Sequence, residues 1–312
     1  MHHWHQSSSL SSVQLLLVLL FAIAVPYFLR QSYHITISNN NEIMSGGRSK
    51  ILLLGDSLTQ LGWDGWAGQL AHVYQRRADV VNRGMAGYTT RWFLQYADNS
   101  TSDVWTQNSN SVKLVTIFFG ANDSSDIKMN PRHHVPLDEF KSNIEQLIGK
   151  CRDHYGKDVA IIIVAAPPVV HEQRLAYQKE RYGDKATGEL ERTLETSERY
   201  AQAALDVAEK YKLPSVHLWK LMQDENGWES FFYDGLHFTA KGNKFVTQAI
   251  LDEIKNTYPK LAVHADPLTG QLANSASACE NFLHDGPYHD EIDHENDMKA
   301  FKEYNNKKQK LG

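Results

Sequence analysis

The sequence predicts an α/β fold, a parallel sheet covered by helices on both faces. Two observations carry this. Short runs of strand length recur through the chain, most of them closed by Gly or Pro, and the first of them, Ile51 to Leu54, is apolar throughout, as a strand buried on both faces is. Between them lie longer stretches whose apolar residues recur at three and four, the spacing of one helix face. Strand and helix in alternation give parallel strands with helical layers above and below.

The first strand is expected at 50–54, where Ile51-Leu52-Leu53-Leu54 stands between Lys50 and Gly55. Four bulky residues in a row suit burial on both faces. Asp79-Val80-Val81-Asn82-Arg83 gives a second strand at 79–83 and leads into a loop with Gly84 and Gly87. Val112 to Phe119 forms the third, followed by Gly120-Ala121-Asn122-Asp123, and an amphipathic helix is predicted from Leu137 to Cys151. The fourth strand, 158–165, carries Val159 to Ala165 and is closed by Pro167-Pro168, which cannot extend a central ladder. Helical spacing returns from Glu191 to Lys210 and from Lys241 to Asn256, with a fifth strand between them at 213–218. The stretch Val170 to Glu191 is charged and rich in Tyr, Arg and Lys; it reads as a solvated connecting helix, with a lid or acyl-pocket wall as the alternative.

A chain of 312 residues holds one or two domains, and a globular part of about 210 residues is ample for a single core. Residues 1–30 read as a signal peptide or membrane anchor, since Val13 to Leu29 is almost wholly apolar and Ala22-Ile23-Ala24 offers a small-residue cleavage site. Membrane association through residues 13–29, or entry into the secretory pathway, follows; the face is left open. Residues 31–48 are expected to form a polar linker, 49–260 the globular domain, and 261–312 a polar, disordered tail with too few aliphatics to offset its ordering entropy.

The chemistry begins at Gly55-Asp56-Ser57, a serine at the mouth of a predicted parallel strand. The G-x-S-x-G elbow is absent, because Thr59 stands where its second glycine belongs. A serine hydroxyl needs a base and a group to orient that base. Asp234-Gly235-Leu236-His237 is the only Asp-x-x-His in the chain, and residues three apart in a tight turn can lie side by side. Asp234 would fix the tautomer of His237, whose other nitrogen would face Ser57. Asn122 offers an amide donor at a strand's end, and the loop at Gly87 offers backbone N–H groups. Carboxyl ends of parallel strands share one crevice, so Ser57, Gly87 and Asn122 can meet there. Singly, each has a plainer role: Asp56-Ser57 as a helix cap, Asn122-Asp123 and Asp234-Gly235 as turns.

Taken together, Gly55-Asp56-Ser57-Leu58, Gly87, Gly120-Ala121-Asn122-Asp123 and Asp234-Gly235-Leu236-His237 resemble the blocks of the SGNH (GDSL) hydrolase family. Asn82-Arg83-Gly84, Thr90-Arg91-Trp92 and His134-Val135-Pro136-Leu137-Asp138-Glu139-Phe140 are similar to its isoamyl-acetate-hydrolysing esterase branch. The resemblance spans roughly residues 49 to 258. It implies a three-layer, flavodoxin-like fold with a five-stranded parallel sheet. It implies a serine esterase of small carboxylic esters, of short-chain acyl or acetate type, working through an acyl-enzyme. Ser57 would be the nucleophile, His237 the base and Asp234 its partner, with the oxyanion held by the N–H groups of Ser57 and Gly87 and the side chain of Asn122. The alternatives are a lysophospholipase or carbohydrate acetylesterase of the same fold and, more remotely, a non-catalytic binding module.

No cofactor or metal is expected. Cys151 and Cys279 alone make no disulfide framework or metal knuckle, and the spacings of His284, His289 and His294 match no ligand motif. A net charge of −5 without a basic cluster argues against nucleic acid as a partner; the small-molecule ester is what the resemblance implies. Trp63, Trp66, Trp92, Phe231 and Phe232 are candidates for an apolar pocket, with ordinary packing as the plainer reading.

Overall fold

The structure, a computed structural model, describes residues 48–107, 109–263, 286–287, 292–293 and 295–311. The apolar segment 13–29 lies outside these, as do Cys279, His284, His289 and His294. Among the described residues no helix is long and apolar enough to cross a membrane.

Five strands, β1 (Ser49–Gly55), β2 (Ala78–Gly84), β3 (Val112–Phe118), β4 (Ala160–Val164) and β5 (Ser215–Val216), form one sheet in the order β2-β1-β3-β4-β5. Every pairing is parallel. The apolar runs sit in the sheet because both of its faces are covered: Ile51 and Leu53 pack into one core, Leu52 and Leu54 into the other, and all four are fully buried. The first core is closed by helices α2 (Trp66–Val73) and α8 (Ala240–Thr257), the second by α3 (Thr90–Ala97), α4 (Leu137–Tyr155) and α6 (Leu194–Tyr211). Three further helices belong to the same domain: α1 (Ser57–Gln60), α5 (His171–Tyr182) and α7 (Leu218–Gln223).

The fifth strand is shorter than its sequence suggests. Only Ser215 and Val216 pair with β4, because Pro214 can donate no N–H and α7 begins at Leu218, whose side chain is needed in the first core. The core also runs past residue 260: Leu261 and Ala262 are buried, and the Tyr74 hydroxyl donates to the Leu261 carbonyl at 2.8 Å. The expectation of a disordered tail does not hold throughout: Arg76 of the domain donates to the tail carbonyls of Gly286 and Pro287, and a final helix, α9, spans Asp297–Leu311.

The strand order reverses between β1 and β3, which opens a crevice at the carboxyl ends of these strands. Register levels those ends: Gly55 of β1 pairs with Gly84 of β2 and Phe118 of β3. The chain leaves all three strands on one rim.

Candidate active site

Ser57 follows β1 as the first residue of α1. Asp56 caps that helical turn, its carboxylate accepting the Leu58 N–H at 2.9 Å, so the capping role holds for Asp56 and leaves the neighbouring hydroxyl for other work. Asn82 fixes the turn from β2, donating to the Thr59 carbonyl at 2.7 Å. The Ser57 hydroxyl lies 2.9 Å from His237 Nε2, and His237 Nδ1 lies 2.8 Å from Asp234 Oδ2.

The Asp234–His237 turn is held from several sides. Asp234 Oδ1 accepts the backbone N–H groups of Leu236 at 3.0 Å and His237 at 2.7 Å, which closes the turn. Gly235 has φ +79°, and a Cβ there would stand 2.5 Å from the Val170 carbonyl and 2.6 Å from the Arg174 N, so only glycine fits. Burial pushes the Asp234 carboxyl up, but the hydrogen bonds from His237 outweigh it and hold the group below the usual carboxylate range. Tyr233, largely exposed, stacks on the His237 ring with centroids 5.9 Å apart.

The donor side is built from the ends of β2 and β3. Asn122 Nδ2 donates to the Tyr88 carbonyl at 2.9 Å, which uses one of its two amide hydrogens and joins the Asn122 loop to the loop of Gly87. Gly87 has φ +78°, which turns the chain toward α3. Asp123 pins the same junction: its Oδ1 accepts the Thr90 N–H at 2.9 Å and the Thr90 hydroxyl. The structure thus brings Ser57, Asp234 and His237 together in one hydrogen-bonded line and ties the Gly87 and Asn122 loops to each other. The arrangement can activate a serine hydroxyl by general-base catalysis and set amide donors beside the acyl group it attacks.

Two buried carboxylates flank the site. Burial pushes Asp56 up to about 7, with the Asp123 charge adding to it, and pushes Asp123 up to about 6. Each keeps one carboxylate oxygen buried without a partner among the described residues.

The segment after β4 departs from expectation. It forms a helix, α5, but one that is solvated on a single face: Arg174 and Gln178 are buried, and Arg174 Nη1 donates to Asp234 Oδ2 at 3.3 Å. Glu191 and Arg192, in the loop that follows, are buried as well. No signal in the sequence marks these residues off from a solvated charged face, because the contacts that tie them to the site, Arg174 to Asp234 and Arg192 to Ala121 and Asn122, span 60 to 71 positions. Of the candidate aromatics, Trp66, Phe231 and Phe232 are core residues and Trp63 is exposed. Trp66 is fixed by its indole N–H on the Leu58 carbonyl at 2.8 Å. Trp92 is half-buried and packs edge-on against Tyr88 and His133.

Residues 53–245 match the sequence model of the GDSL-like lipase/acylhydrolase family. The chain is 35% identical to a GDSL esterase/lipase of Arabidopsis thaliana, over 82% of this chain and 98% of the relative. It is 34% identical to the isoamyl acetate-hydrolyzing esterase of Saccharomyces cerevisiae, over 68% of this chain and 88% of that one. Among solved structures, a lipase/acylhydrolase from Enterococcus faecalis superposes with a TM-score of 0.51 at 26% identity, covering 67% of this chain and 96% of its own.

Proposed function

Since this chain belongs to the GDSL-like lipase/acylhydrolase family and is a carboxylic ester hydrolase, we propose that it cleaves small esters of short-chain, acetate-type acids through an acyl-enzyme on Ser57. The observation that carries this reading is the unbroken line from Asp234 Oδ2 to His237 Nδ1 at 2.8 Å and from His237 Nε2 to the Ser57 hydroxyl at 2.9 Å. The name of the yeast relative supports the acetate-type acyl group.

In the proposed cycle Ser57 Oγ attacks the acyl carbon while His237 Nε2 takes its proton. Asp234 steadies the imidazolium that results. Negative charge on the carbonyl oxygen is met by the N–H groups of Ser57 and Gly87 and by the second amide hydrogen of Asn122. His237 returns the proton to the departing alcohol oxygen, then deprotonates the water that splits the acyl-enzyme into free acid and serine.

The test pairs mutation with a substrate panel. Ser57→Ala and His237→Ala should each lower the turnover of p-nitrophenyl acetate by several orders of magnitude; activity within about tenfold of the wild type would reject the assignment. Asp234→Asn should be damaging but less complete, acting through the tautomer of His237. Across p-nitrophenyl esters of graded length, kcat/KM should be highest for the short acyl groups. A maximum at long acyl chains would favour a lysophospholipid, the reading that the apolar run 13–29 supports by suggesting work at a membrane. Protease protection in sealed microsomes would then report the face: a shielded domain is lumenal, a digested one cytosolic.

A further inference from the structure

Beside the triad lies a buried ionic cluster that the proposed cycle does not use. Glu191 Oε1 accepts hydrogen bonds from Arg174 Nη2 and from Arg192 Nη1, and its Oε2 accepts Asn130 Nδ2 at 3.1 Å. All three charged residues are at most 7% exposed. Stability is a poor reason for such a cluster, because an apolar replacement of a buried ion pair is often neutral or stabilising. What distinguishes this one is where its free ends go.

Arg174 reaches from Glu191 to Asp234 Oδ2, at 3.3 Å, the same oxygen that faces His237 Nδ1. Arg192 reaches the other way, its Nη2 donating to Asn122 Oδ1 at 3.1 Å and its Nε to the Ala121 carbonyl at 2.6 Å. The two ends of an asparagine amide are alike in shape, so bonds decide which end is the donor. With Arg192 on Oδ1 and the Tyr88 carbonyl on Nδ2, only one orientation of Asn122 satisfies both neighbours. The third arm runs through Asn130, whose Oδ1 lies 2.9 Å from His133 Nδ1, and the His133 ring lies against the backbone of Gly87. Two buried guanidinium groups repel each other, and Glu191 is the anion bound to both.

We infer that Glu191, with Arg174 and Arg192, is a positioning device that aligns the triad carboxylate and the oxyanion asparagine from a single anchor. It acts through Asp234 and Asn122 and touches no reacting atom. The inference rests on the reading of Asn122 as an oxyanion donor, and the experiment separates the two.

Turnover of p-nitrophenyl acetate by the full chain is measured per site titrated with an organophosphonate, for Arg192→Lys, Glu191→Gln, Asn122→Ala and the double variant of Arg192→Lys with Asn122→Ala. Arg192→Lys keeps the cation but not the fork that spans Glu191, Ala121 and Asn122. It should lower kcat per titrated site about tenfold with KM within about twofold, and Glu191→Gln should lower kcat at least as far. The cost of Asn122→Ala should shrink about tenfold in the Arg192→Lys background, since residues that act through one another are not additive. If Asn122→Ala alone leaves kcat unchanged, the oxyanion assignment fails. If Asn122→Ala shows the same full cost in both backgrounds, the inference fails and the assignment survives. Fewer titratable sites with kcat per site unchanged would mean a purely structural cluster and would also overturn it. Should Glu191→Gln not fold, the cycle between Arg192→Lys and Asn122→Ala decides the matter without it.

Discussion

Among single residues, the proposed site depends on which buried groups are charged and on which way the Asn122 amide is turned. Asp56 is the clearest electrostatic case. Burial lifts its pKa from 3.8 to about 7, so between these values the folded protein holds a proton that the unfolded chain has released. Its contribution to stability is therefore fullest below about pH 4 and is lost as the pH rises through about 7. Asp56→Asn keeps the oxygen that accepts the Leu58 N–H and cannot ionise. The melting temperature of the variant relative to the wild type should climb between pH 5 and pH 8, whatever constant offset the new amide brings. A difference that stays level over that range would show that Asp56 carries the same charge folded and unfolded. For Asn122 the expected signature is kinetic. Asn122→Ala should lower kcat by about 10²–10³ with little change in KM, because a donor to the oxyanion gains strength as charge develops. A loss expressed mainly in KM would reassign the residue to substrate positioning.

At the scale of elements, the site is assembled from ends that support one another. The helix α2 begins at Trp66 after Gly65, which has no side chain to cap it. The cap comes from α8 instead: Asn243 Oδ1 accepts the Trp66 N–H at 3.1 Å, while its Nδ2 donates to the carbonyls of Phe238 at 3.2 Å and Thr239 at 3.1 Å. One side chain thus joins the start of α2 to the segment that follows His237. Gly65 permits the approach, since a Cβ there would lie 2.2 Å from Asn243 Oδ1. Asn243→Ala strands the Trp66 N–H in a buried setting and should cost about 1–3 kcal/mol, read from the urea midpoint at unchanged m-value. An unchanged midpoint would mean that water caps α2 as well as Asn243 does.

At the scale of the whole molecule, both cores close around residues 48–263. Leu261 and Ala262 belong to the first core, with the Leu261 carbonyl bound to the Tyr74 hydroxyl. A shortened chain of residues 48–263 should fold and keep kcat/KM on short esters within about threefold of the full chain. Ending it at 260 removes a buried leucine and should cost about 2–4 kcal/mol of stability by chemical denaturation. Equal stability of the two would place Leu261 outside the cooperative core.

Local patterns in the sequence were enough to expect the five-stranded sheet and four of the helices, α4, α5, α6 and α8, but not α2, α3 or α7. Runs such as Ile51 to Leu54, and the three-and-four spacing from Leu137, from Glu191 and from Lys241, are local patterns, and a strand or helix face is a local property. Ser57, Gly87, Asn122, Asp234 and His237 were legible as candidates because each stands in a short block with its own turn chemistry. Long-range contacts set the rest: that β4 pairs over five residues but β5 over two, that Asn243 caps a helix 177 positions away, and that the charged stretch after β4 turns Arg174 and Glu191 inward. The physical reason is that a charge has no period. An arginine on a solvated face and one locked between buried carboxylates look alike in sequence, because what separates them is a partner that long-range folding alone supplies.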